Sequence, residues 1–154
     1  MSLYLLLKFL HVLAAMVAVG TNATYGLLLA RAHREPAHLG HVRESVRALD
    51  RSIANPAYVV VLVTGLLLVW VGPVPLAAPW LLSALLLFLL AAVLGLGVLT
   101  PLTRRQGQVL QRYSPDAPEY AYLRRRINRI SGLAAALVLA ILYLMVVKPP
   151  LWGR

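Results

Sequence analysis

A chain of 154 residues that is 60% hydrophobic and only 13% charged stands far from soluble domains, where about 25% of residues are charged. It contains no cysteine, which excludes structural disulfides, thiolate zinc sites, iron-sulfur ligation and cysteine nucleophiles. Its net charge of +10 comes largely from clustered arginine, which in so apolar a chain reads as a topology signal and an attraction to anionic lipid, not as nucleic-acid binding.

The apolar residues fall in blocks long enough to cross a hydrocarbon core of roughly 30 Å. The first span is expected over about Leu3 to Ala30. No basic residue precedes it and it is too long for a signal-peptide core, so it is expected to be retained. A polar loop follows over residues 31–52, in which Pro36 can open a helix with Val42, Val46, Leu49 and Ile53 on one side and arginines opposite. That helix is expected to rest on the membrane surface until Asn55-Pro56 kinks it into span two, Ile53 to Val71. Gly72-Pro73-Val74-Pro75 makes a tight turn into span three, from Pro79 or Trp80 to Thr100. In the second polar loop, residues 101–129, Asp116 and Glu119 have capping-box spacing with Pro118 in the first turn, so the last helix should begin before the membrane. Span four runs from Ile130 to Val147, where Pro149-Pro150 stops it.

Five basic residues lie in the first loop and seven in the second, leaving only Lys8, Lys148 and Arg154 for the opposite side. The positive-inside rule then makes both loops cytoplasmic and puts both termini outside, and Trp70, Trp80 and Trp152 fall at the outer boundary as an aromatic belt. The expected fold is all-α: a single membrane domain, a four-helix bundle running up-down-up-down. The partners it implies are the lipid bilayer and anionic lipid at the cytoplasmic loops, or an acidic protein docked on the arginines.

On span one, Tyr4, Lys8, His11, Ala15, Ala18, Asn22 and Tyr25 alternate in steps of four and three and form one polar or small stripe. Polar groups in a membrane need partners and small ones permit close approach, so the stripe should face the protein interior. Gly132, Ala136 and Ala140 of span four offer a matching small row, and antiparallel packing of spans one and four would create two polar layers. The inner layer would hold Asn22, Tyr25, Asn55, Tyr58 and Asn128, suited to hydrogen bonds between helices. The outer layer would hold Tyr4, Lys8, His11 and Tyr143. Lys8 can snorkel to the surface, whereas His11 lies deeper and either bonds internally or acts as a ligand for haem or metal.

No span contains Asp or Glu, which argues against a carboxylate relay or cation site in the bilayer. Catalytic carboxylate pairs, a Ser-His-Asp set and a glycine-rich phosphate loop are missing, so hydrolases and kinases are set aside and the balance leans away from an enzyme. His11 is the only histidine in a span, with His33, His38 and His41 in the first loop, so one chain cannot give a haem two intramembrane histidines. A homodimer could. Met16 and Met145 are soft donors that could join His11 around copper.

Leu7-Lys8-Phe9-Leu10-His11, Gly20-Thr21-Asn22-Ala23-Thr24-Tyr25-Gly26, Leu49-Asp50, Asn55-Pro56-Ala57, Thr64-Gly65-Leu66 and Met145-Val146-Val147-Lys148-Pro149 resemble a bacterial domain-of-unknown-function family of small four-span membrane proteins. The resemblance covers nearly the whole chain and implies the cytoplasmic membrane of a bacterium. More distantly, a histidine early in the first of four spans is similar to the copper-resistance protein D group and to HemJ-type protoporphyrinogen oxidases, the latter implying haem b with His11 as axial ligand. The tryptophan and Pro-Arg that follow the HemJ histidine are absent here. The expected function is thus a binding module for haem, metal or a small apolar ligand in the outer half of the bundle. The alternatives are a structural or assembly factor and, by analogy alone, a porphyrin or quinone oxidoreductase.

Overall fold

The computed structural model describes residues 2–73 and 75–150. Trp152 and Arg154 lie outside the described residues, as does Val74 of the proline-rich turn. Four helices are long and apolar enough to cross a membrane: α1, Leu3–Ala32; α2, Leu39–Val71; α3, Pro79–Arg112; and α4, Pro118–Val147. There is no strand among the described residues. The chain divides into two compact units, Met1–Pro75 with α1 and α2, and Leu76–Arg154 with α3 and α4.

Each helix has 30 to 34 residues, hence a length of about 45–50 Å at 1.5 Å per residue, well beyond the roughly 30 Å of hydrocarbon. The excess accounts for the polar stretches. Residues assigned to the two loops are largely helix: α2 begins at Leu39 after a single 3-10 turn, Pro36–His38, and α3 continues through Pro101 to Arg112. Only residues 113–117 join α3 to α4.

The helix widens at the kink expected before span two and again late in span three. Asp50–Ala54 and Val93–Leu99 are π-helical, with Asn55 N–H bonded to Asp50 O and Thr100 N–H to Gly95 O. Each segment ends two residues before an internal proline, Pro56 and Pro101. Proline lacks the N–H for the usual bond and its ring crowds the carbonyl four residues back, and a wider turn relieves that crowding. Residues 39–49 therefore run continuously into span two. In α3, the Thr100 hydroxyl adds a 3.0 Å bond to Gly95 O.

In the first unit α1 and α2 pack antiparallel. Small residues dominate the buried contact, Ala14 and Ala18 from α1 and Ala54 and Ala57 from α2, with Ala18 1% and Ala54 0% exposed, beside Leu7, Leu39 and Thr64. Large residues such as Phe9, Met16, Leu27 and Trp70 face outward. This inverts the soluble pattern because lipid tails solvate Leu and Phe as well as a core does, whereas close backbone approach needs Ala or Gly.

In the second unit α3 and α4 pair, with Ala84, Val109, Tyr120, Leu123, Ile127 and Leu144 buried. The start of α4 lacks the expected capping box: the cap is Ala117, and Asp116 instead donates its N–H to the Ser114 hydroxyl at 3.1 Å. Glu119 is drawn away to Arg105 at 2.9 Å. The far end closes as Pro149 dictates. Lys148 takes a left-handed φ of 50° to end α4, and its ammonium lies 5.3 Å from the centre of the Trp80 ring.

Candidate functional site

The polar stripe on α1 meets α2. His11 Nδ1 lies 3.0 Å from Val61 O and 3.0 Å from Thr64 Oγ1, and Asn22 Nδ2 donates to the Tyr58 hydroxyl. Asn22 and Tyr58, both expected in the inner layer, thus meet, and His11 finds its partners within the same hairpin. The contact face is also turned slightly from the expected stripe: Leu7 and Ala14 are buried, while Lys8 is exposed and Ala15 only half-buried.

Two glycines of α2 make room for the large members of the stripe. A Cβ on Gly65 would stand 3.1 Å from His11 Cε1, and one on Gly72 would stand 2.7 Å from Tyr4 Cε2. Seven residues separate Tyr4 from His11 and seven separate Gly65 from Gly72, so both contacts belong to one antiparallel register. Ring against glycine is the rule at the open end of the hairpin, and alanine against alanine further in.

The geometry fixes the imidazole tautomer. Val61 O can only accept, and the buried Thr64 hydroxyl gives its hydrogen to the backbone, with Val60 O the nearest acceptor. Both neighbours of Nδ1 are therefore acceptors, so Nδ1 carries the proton and donates. In the neutral ring Nε2 then holds a lone pair. It has no hydrogen-bond partner among the described residues and is not sealed inside the protein.

The second polar layer lies nearer the arginine-rich tip. Asn22 bonds Tyr58 and, at 3.0 Å, the Ala18 carbonyl of its own helix. The segment Asp50–Ala54 packs against α1 and Asp50 is half-buried, so a carboxylate lies in the helix at this end of the hairpin, in what the sequence presents as loop. The Tyr25 hydroxyl is buried without a hydrogen-bond partner among the described residues. Asn55 is exposed, and so are Asn128 and Tyr143, both on α4 of the second unit. An interhelical hydrogen bond in a membrane contributes about 0.6 kcal/mol on average and up to about 1.7. Asn22→Leu should therefore destabilise the detergent-solubilised protein by about 1 kcal/mol in a reversible unfolding titration, and unchanged stability would remove the Asn22–Tyr58 bond from the account of this interface.

Other donors do not gather at His11. Met16 lies roughly 140° around α1 from it and is 67% exposed. Among the described residues no three His, Asp or Glu side chains form a metal-holding group, so the loop histidines do not assemble one. The sequence stripe located His11, but Thr64, Gly65, Gly72 and Asp50 were missed as site residues. The signal for the first two was the Thr-Gly pair one face of α2 presents to the hairpin.

The chain belongs to the DUF2269 family, described as predicted integral membrane proteins, whose model matches residues 5–149. No match was found among curated proteins or among solved structures. The more distant likeness to the copper-resistance protein D and HemJ groups therefore rests on the first-span histidine alone.

Proposed function

We propose that this membrane protein is a binding module that takes haem, a metal or a small apolar ligand at His11. We place it in the bacterial cytoplasmic membrane with both termini outside and the arginine-rich tips against anionic lipid, a placement supported by the charge asymmetry. The observation that carries the binding reading is the imidazole itself, with Nδ1–H held by Val61 O and Thr64 and an unpartnered lone pair on Nε2. Ligating histidines characteristically donate their other N–H to a carbonyl in this way. At about 12 Å along α1 from Leu3, an acceptor without a partner lies where water is scarce, and a ligand relieves that cost.

The donor set fits haem better than a bare ion. Haem supplies four nitrogens of its own and needs an axial imidazole, which His11 would give, whereas a bare ion would find one imidazole per chain. Lys8, one turn nearer the open end and exposed, offers a cation to an acidic substituent. A homodimer would bring a second His11.

The haem and metal versions predict a Soret band or stoichiometric metal in protein purified in detergent after haem-replete expression, reduced at least tenfold by His11→Ala with the helical circular dichroism unchanged, whereas a small apolar ligand predicts neither. A colourless, metal-free preparation would end the haem and metal readings together.

A further inference from the structure

Resting on that reading, we infer that the His11 site takes the hydroxyl of a phenol or hydroquinone head group carried into the membrane on an apolar tail. Three features favour this class. The imidazole presents an acceptor, because its single proton is committed to Val61 O and Thr64; a ligand must therefore bring a donor or a Lewis acid. Among the described residues no three His, Asp or Glu side chains gather, so a hydroxyl, which needs one acceptor, is matched by this chain alone. The residues around His11 on α1, namely Phe9, Leu10, Val12 and Leu13, are exposed and apolar, which suits a tail lying alongside the helix and disfavours a water-soluble donor.

The geometry also sets a preference. A hydroquinone donates O–H to Nε2, whereas the corresponding quinone offers only carbonyl acceptors and would leave two lone pairs opposed in an apolar setting. Sites built on one hydrogen bond reject analogues lacking it because the buried partner is left unpaired. No electron transfer is involved; the discrimination is one of binding.

The test uses the full chain in lipid nanodiscs, titrated anaerobically with decylubiquinol and separately with decylubiquinone. The quinol should bind at least about tenfold more tightly. His11→Phe should abolish the difference. His11→Gln, whose amide both accepts and donates, should keep quinol binding and narrow the gap, so the result does not depend on a variant that loses its fold. Equal affinity for the two forms, or a preference that survives His11→Phe, overturns the inference. A Soret band or stoichiometric metal lost on His11→Ala also overturns it while leaving the binding-module reading intact. Absence of quinol, haem and metal binding overturns both.

Discussion

Gly65→Leu should destabilise the protein by about 1–3 kcal/mol, the range for forcing extra carbons into a filled interface. The direction is diagnostic, because replacing glycine inside a helix ordinarily gains up to about 1 kcal/mol from propensity. Here the added Cβ would stand 3.1 Å from His11 Cε1 and 3.5 Å from Nδ1, and the rest of the side chain must displace the ring. Displacement breaks both Nδ1 contacts, while the buried Thr64 hydroxyl keeps its bond to Val60 O. Since the obstacle is a side chain, it can be removed: in the double variant Gly65→Leu with His11→Ala the leucine fills the space the imidazole vacates. Reversible unfolding in detergent should show a coupling of about 1 kcal/mol or more between the two positions. Additive effects would mean that the ring does not occupy the notch. Gly20→Ala, with nothing within 4 Å of its Cβ position, serves as the control and should be neutral or stabilising.

The same pair of residues shows how far the sequence could be read. Hydropathy and length were enough for the four helices, because a run of some twenty apolar residues has few other solutions. Step-four and step-three spacing was enough to put His11, Ala18 and Asn22 on one working face. The partner of that face was another matter. Gly132, Ala136 and Ala140 make a small row on α4, but Ala54, Ala57 and Gly65 make one on α2, and composition alone does not show that the second meets α1. The connection does: residues 33–38 are few enough that α1 and α2 must be neighbours. Asp50 was passed over for a related reason. A carboxylate five residues before Asn55 reads as loop when polar composition marks the loops, although α2 runs through it without a break. The π turns were half legible, since each announces itself by a proline, and the helix runs on through both Pro56 and Pro101 by widening before them.

Gly72→Ala should cost as much as Gly65→Leu although it adds a single carbon, and it should resist rescue. Pro73 forces the residue before it out of the helical region, and Gly72 is extended with φ −97° and ψ 170°, so the requirement for glycine is one of space rather than of backbone handedness. At that conformation a Cβ would stand 2.5 Å from the Leu68 carbonyl oxygen and 2.7 Å from Tyr4 Cε2. The ring can swing away; the carbonyl cannot, because it accepts the Gly72 N–H at 2.9 Å and thereby closes α2. The chain must change its path at the helix end, at a cost of about 1–3 kcal/mol. Removing the aromatic obstacle with Tyr4→Ala should restore little of it, in contrast to the Gly65 and His11 pair. Full recovery on adding Tyr4→Ala would assign the strain to the ring and refute this reading of the helix end. A loss that persists, together with a recovery at Gly65, would separate the two notches by cause: one shaped by the backbone to stop a helix, the other kept open for an imidazole.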